Sequence, residues 1–343
     1  MRIAFILSPE SSISNKMNGV TKQSHVWSET LKARGHLVDF PFFENPFIAK
    51  NFDIVHFMQF GPWCRPVVSY LRNQGVRISM SPIFDPIKPY SSLHEIASKI
   101  PFEKLRLLQN QREFRLTALK CNVILARTDF EKKSIAKVSP LGTNIRVCPI
   151  AIGLSEVPDE RTVQTSKRGN HVFHLSALCQ ERKNVKRLVQ ACIEAQIDLR
   201  LAGRISKPEF RAWLERITLE NSNIRYLGVI EDGRVIQEML SCRIFCLPSI
   251  NEGVGIVALD AMVCGAQVVA SLTGGTSEYL GSFASYVDPH SVKSIRDSLV
   301  DSLKRSNFSL KGRDQILMNY SPERSAIQIE SIFSDILSVV AKD

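Results

Sequence analysis

The chain has 343 residues, 44% of them hydrophobic, so it can bury a substantial core, and its length fits two domains. No apolar run approaches the ~18–20 residues of a membrane span, and the opening run Ile3 to Leu7 starts too early and is too short for a signal peptide, which implies a soluble, cytoplasmic protein. A formal net charge of +10 calls for an anionic partner, yet zinc-finger, RRM and KH signatures and basic-aromatic stripes are all lacking, so nucleic acid ranks below a membrane face or an anionic substrate.

In chain order, Arg2 to Leu7 reads as a strand, followed by a polar loop from Ser8 to Gly19. That loop suits a phosphate- or substrate-facing segment, which makes Gly19 a donor-binding candidate, but it also suits a plain surface turn. A helix from Val20 to Arg34 ends at Gly35, and further strands are expected at Leu37 to Phe40, Ile54 to Met58, Arg77 to Met80, Val123 to Ala126 and Arg146 to Pro149, with helical stretches between them. Such alternation implies a doubly wound α/β domain. Apolar periodicity then lapses over 155–170, which reads as a linker. Strands resume at Val172 to Leu175, Leu199 to Ala202 and Ile224 to Leu227, with helices at Asn184 to Ala195, Pro208 to Glu220 and Arg234 to Leu240. Helices at Ser291 to Lys304 and about Pro322 to Val340 finish the chain. His171 and His174, three apart in a strand, point to opposite faces and read as core or surface residues; no metal site is expected. The eight scattered cysteines read as reduced core thiols.

The most informative stretch runs from Arg243 to Glu278: an apolar strand ending at Leu247, a turn through Asn251-Glu252-Gly253, a helix from Gly255 to Cys264, a second strand and a Gly-Gly turn. This is a βαβ unit whose two loops lie at carboxyl ends of parallel strands, where open α/β sheets bind ligands. Glycines there admit a ligand close to the backbone, and amides near a helix start attract phosphate. Each residue has a plainer reading as well. Glu252 could cap a helix, Asp260 could face solvent or a buried partner, and Arg182-Lys183 could be a solvated helix start, although cations there oppose the dipole and hint at a bound anion. Gly253-Val254-Gly255-Ile256-Val257-Ala258 also satisfies a dinucleotide fingerprint, but Ser249 to Glu252 separate it from the strand that should end at its first glycine.

Several landmarks in order carry more than pattern. PSINEGVGIVALDAMVCGAQVVAS, Gly274-Gly275-Thr276-Ser277-Glu278, Val287-Asp288-Pro289, Arg182-Lys183-Asn184, Gly35-His36 and Asp53-Ile54-Val55-His56 together resemble the retaining glycosyltransferases of the GT-B fold, specifically glycosyltransferase family 4. The resemblance implies two Rossmann-like, doubly wound domains facing a central cleft: an acceptor-side domain over 1–154, a linker over 155–170, a nucleotide-sugar domain over 171–320, and a helix over 321–343 crossing back to the first domain. It implies a metal-independent retaining hexosyltransferase of polysaccharide or glycoconjugate biosynthesis, with no cofactor beyond its nucleoside diphosphate sugar donor and with a glycan, lipid-linked or other hydroxyl acceptor. Lys183 and Glu252 would be catalytic, Lys183 with Arg182 touching the diphosphate and Glu252 the donor sugar. The amides of Gly253, Val254, Gly255 and Ile256 would face the phosphates, and Asp260 the ribose.

Three departures from the family pattern stand out. Asp260 is one methylene shorter than the usual glutamate, Ser176-Ala177 occupies the place of a phosphate-binding arginine, and Ser79 to Asp85 lacks an N-terminal histidine. A catalytically inactive sugar-binding relative and an NAD(P)-dependent dehydrogenase are the alternatives. The basic amphipathic stretch from Leu93 to Cys121, with Lys99, Lys104, Arg106, Arg112, Arg115 and Lys120, suggests weak peripheral contact with anionic lipid or an ordinary solvated face.

Overall fold

A computed structural model describes residues 1–14, 19–41, 49–84, 92–100, 110–305 and 310–338. It divides into two units, Met1–Ala151 with Tyr320–Asp343, and Ile152–Asn319. Lys104, Arg106 and Asp85 lie outside the described residues.

In the first unit, strands β1 (Arg2–Ile6), β2 (Leu37–Asp39), β3 (Ile54–Phe57), β4 (Arg77–Met80), β5 (Val123–Ala126) and β6 (Ile145–Val147) form one parallel sheet in the order β2-β1-β3-β4-β5-β6. Every residue of β3 and β5 is buried, as expected for strands covered by helices on both faces. The helix Gly19–Ala33 packs against Pro322–Ser338, so the last described helix is part of this unit. Buried Trp27 seals that contact: its Nε1 donates to Ser325 Oγ at 2.7 Å, and Ser325 Oγ donates to the Pro149 carbonyl at 2.8 Å. The stretch expected as a loop after β1 contains a short helix, Pro9–Ser14, and residues 15–18 lie outside the described residues. After β4, Ile83 takes φ 59°, a left-handed conformation that a β-branched residue adopts only when its surroundings impose it. Buried Glu131 imposes it here. One of its carboxylate oxygens accepts from the Phe84 amide at 2.6 Å, and the other from the Arg127 amide at 2.7 Å.

The second unit repeats the plan with β7 (His171–Leu175), β8 (Asp198–Ala202), β9 (Ile224–Tyr226), β10 (Ile244–Leu247), β11 (Gln267–Ser271) and β12 (Ala284–Val287), parallel, in the order β12-β11-β10-β7-β8-β9. The order reverses between β7 and β10, so the crevice outside their carboxyl ends is where such a sheet receives a ligand. Within the polar stretch 155–170, Glu160–Thr165 is helical, capped by Asp159 and anchored by buried Val163; one apolar residue was too little to reveal it in the sequence. All eight cysteines are free thiols. Among the described residues no helix is long and apolar enough to cross a membrane.

Each unit buries one histidine completely. His56 lies between Ser79 Oγ at 2.9 Å and Ser81 Oγ at 3.2 Å, and burial lowers its pKa to about 3. His174 lies between the Cys246 carbonyl and Ser176 Oγ, both at 2.7 Å, and burial lowers its pKa to about 4. In the folded protein both stay neutral where the unfolded chain is protonated. The unfolded state therefore binds more protons from about pH 6.5 down to about 4, and stability falls as pH drops through that window. Urea unfolding should give a lower midpoint at pH 5.5 than at pH 7.5, with the difference reduced in His174→Asn. Equal midpoints in the wild type would contradict the assignment.

Candidate active site

The site is built from the loops after β7 and β10. The β7 loop is pressed onto the end of β8: the Leu178 amide donates to the Arg204 carbonyl at 3.1 Å, and Gly203, at φ 129°, lies so close that a Cβ there would overlap the Ser176 carbonyl. A short turn, Glu181–Lys183, brings the chain back toward β10. Asn184 then adopts a left-handed conformation, φ 59°, and its buried amide donates to the carbonyls of Pro248 at 2.9 Å and Pro289 at 2.6 Å. Asparagine tolerates that conformation better than most residues. The Ile250 amide donates to the Arg182 carbonyl at 2.7 Å, which closes the seam between the two loops.

That seam brings two cations to one carboxylate. Lys183 Nζ lies 2.5 Å from Glu252 Oε2 and Arg182 Nη1 lies 3.3 Å from Oε1, while Ser249 Oγ donates to Oε2 at 3.1 Å. Lys183 is 9% exposed, so the sequence-based reading of a solvated helix start does not hold for it. Arg182, with 40% of its side chain exposed, keeps a solvent-facing flank. Burial pushes the Glu252 carboxyl upward, but the charges of Lys183 and Arg182 and the hydrogen bonds from Lys183 and Ser249 outweigh it and hold the group below its ordinary value. Glu252 is therefore ionised at neutral pH.

From behind, the loop after β11 clamps Glu252. Glu252 and Gly274 form an isolated parallel bridge, and the Gly275 amide donates to the Glu252 carbonyl at 3.1 Å. Gly274 has φ 93°, and any Cβ there would overlap that carbonyl, so the first glycine of the Gly-Gly turn is sterically required. Gly253, Val254 and Gly255 lead directly into the helix Ile256–Val263, with Gly255 left-handed at φ 78° as its cap.

The remaining sequence candidates lie on other elements. Gly19 opens a helix of the first unit and is exposed. Asp260, 6% exposed, accepts at Oδ1 from the Gly153 amide at 2.7 Å, so one oxygen of the expected ribose ligand already holds the backbone. Sequence reasoning missed Ser249 as a partner of Glu252, and Asn184 as a clamp rather than a landmark. The dehydrogenase alternative loses its geometric basis: the whole loop from Pro248 to Gly255 lies between β10 and the helix, and Glu278 lies within a helix, Thr276–Leu280.

Residues 157–315 match the family model described as Glycosyl transferases group 1. That span contains both loops, all of β7 to β12 and the whole Lys183–Glu252 cluster. Over 135 residues the chain is 32% identical to the O-antigen chain mannosyltransferase B of Escherichia coli, a match covering 37% of this chain and 35% of that protein's length. In structure it is similar to a sucrose-phosphate synthase from Thermosynechococcus elongatus, with TM-score 0.74 and 14% identity over 99% of this chain and 100% of the other. It is also similar to Anabaena HepE solved in complex with UDP and glucose, with TM-score 0.69 and 15% identity over 98% of this chain and 100% of the other. At such identities the structural likeness is one of fold, and that fold, two parallel six-stranded sheets with flanking helices, is GT-B.

Proposed function

We propose that the protein is a glycosyltransferase that moves a hexosyl group from a nucleoside diphosphate sugar to a hydroxyl acceptor on a glycan or lipid-linked glycan, with retention at the anomeric carbon. The observation that carries this reading is the convergence of Lys183 and Arg182 on partly buried, ionised Glu252 at the reversal between β7 and β10, inside the family-matched residues. Cleaving a sugar–phosphate bond leaves negative charge on the diphosphate and oxocarbenium character on the sugar. Lys183, Arg182 and the amides from Gly253 to Ile256 supply fixed positive charge for the first, which supports a metal-independent departure. Glu252, held by Lys183 and Ser249, presents a carboxylate for the sugar hydroxyls.

Similarity to mannosyltransferases, one of them a GDP-mannose-dependent enzyme of Corynebacterium glutamicum, puts GDP-mannose first among donors to test. Thermal shift against GDP-mannose, other GDP-, UDP- and dTDP-sugars, and NAD(P)H should reveal stabilisation by one nucleoside diphosphate sugar, worth about 2.7 kcal/mol at a hundredfold excess over Kd. Stabilisation by NAD(P)H alone would overturn the reading. Transfer or slow hydrolysis of the stabilising donor separates an enzyme from an inactive sugar-binding relative.

We also propose weak, reversible contact with anionic lipid through the stretch beginning at Leu93. There Leu93 and Ile96 are 75% and 55% exposed on the helix Ser92–Lys99, which ends in basic Lys99. Sedimentation with anionic liposomes should exceed that with neutral ones; equal sedimentation would remove the proposal.

A further inference from the structure

The departure of Asp260 from the family's longer glutamate has a structural counterpart in the chain segment at Gly153. Asp260 Oδ1 accepts from the Gly153 amide at 2.7 Å, and Ile152 beside it is buried. A Cβ at Gly153 would lie 2.9 Å from Ile256 Cγ2 and 3.0 Å from Asp260 Oδ2, so the glycine backbone rests directly on both residues. Ile256 and Asp260 are four apart on one helix, hence neighbours on one face, and Ile256 is the first residue of that helix. Gly153 thus bridges the helix start and the carboxylate one turn later. A glutamate at 260 would push a further methylene toward a backbone that the shorter carboxylate already meets at hydrogen-bond distance, 2.7 Å, and packed interiors have little slack.

We propose that Asp260 is a positioning residue: its carboxylate pins the backbone at Gly153 across Ile256 and thereby steadies the phosphate-facing helix start, in place of holding the donor's ribose. The inference rests on the donor-site reading above for its effect on nucleotides, but the pinning itself is independent of it. The two roles rank substitutions in opposite order. If the group is a ribose ligand, Asp260→Glu restores the family's ordinary residue and should bind nucleotide as well as the wild type or better. If it pins Gly153, Asp260→Asn keeps an acceptor of the right length and is tolerated, whereas Asp260→Glu is too long and Asp260→Ala leaves the buried Gly153 amide without this acceptor.

The test combines calorimetric binding of GDP, UDP and their 2′-deoxy counterparts with hydrogen exchange at the Gly153 amide, in the wild type and these three variants. Asp260→Asn should stay within about twofold of wild-type affinity, while Asp260→Glu and Asp260→Ala should weaken binding about tenfold, the size of one lost buried hydrogen bond. The weakening should be equal for ribo- and deoxynucleotides, and the Gly153 amide should exchange faster in the Glu and Ala variants only. Wild-type or tighter binding by Asp260→Glu, or an Ala variant that loses only a preference for the ribonucleotide, would overturn the proposal. If the wild type binds none of these nucleotides, the donor reading fails. Exchange then decides alone: faster Gly153 exchange in Asp260→Ala but not Asp260→Asn supports the pinning, and unchanged exchange in Asp260→Ala rejects it.

Discussion

Replacing Lys183 with alanine should lower sugar transfer by about 10²–10³, the effect of removing one preorganised electrostatic group from a developing charge. Lys183 ends a turn fixed by Asn184, so on the proposed function little reorganisation remains to be done when a diphosphate departs. The same change should weaken binding of free nucleoside diphosphate. It should also cost stability, because Lys183 is nearly buried and its loss leaves Glu252 relying on Arg182 and Ser249 among the described residues. Those remaining partners should keep the cost below the ~3–5 kcal/mol of a fully orphaned buried charge. Lys183→Ala/Glu252→Gln, which removes both charges, should recover much of that stability in urea unfolding and none of the transfer. A Lys183→Ala protein that binds nucleoside diphosphate and transfers sugar like the wild type would place the site elsewhere.

Glu252→Ala should lower turnover by about 10²-fold through misplacement of the donor sugar, since small errors in reactant geometry cost that much. Its signature differs from that of Lys183→Ala in the binding of the product nucleotide. With Glu252 gone, Lys183 loses the carboxylate 2.5 Å away that offsets its charge, so free nucleoside diphosphate should bind as tightly as to the wild type, or more tightly. Calorimetry on both variants checks this split. Equal weakening of nucleotide binding in both would mean that Glu252 acts only by holding Lys183 in place.

The two sheets were legible because fully buried parallel strands such as Val123–Ala126 and Ile244–Leu247 read as continuous apolar runs bounded by polar turns. The edge strand Ala284–Val287 was not legible, since only Val287 of its four residues is buried and no run or alternation marks it. The helix Lys311–Tyr320 also went unread: few of its side chains are buried, so its apolar face is faint. Within the site, residue types and order located Arg182, Lys183 and Glu252, but pairing was another matter. Asn184 reaches carbonyls on two other loops, and Asp260 reaches an amide 107 positions earlier; such partners depend on how the chain returns on itself. Gly274 read as part of a turn that admits a ligand close to the backbone, yet it is the Glu252 carbonyl that leaves no room for a side chain there.

That last contact bears on attempts to change donor preference by exchanging loops with a relative. The segment that carries Glu252 and the segment that carries Gly274 touch backbone to backbone, through a bridge and a hydrogen bond that involve no side chain. They behave as one mechanical part encoded in two pieces, with β11 between them. A graft that replaces 248–255 alone would seat a foreign main chain against a native wall shaped to another carbonyl path, and would shift the carboxylate before any new specificity could register. Recombination at this site should therefore take 248 to 278 as a single cassette.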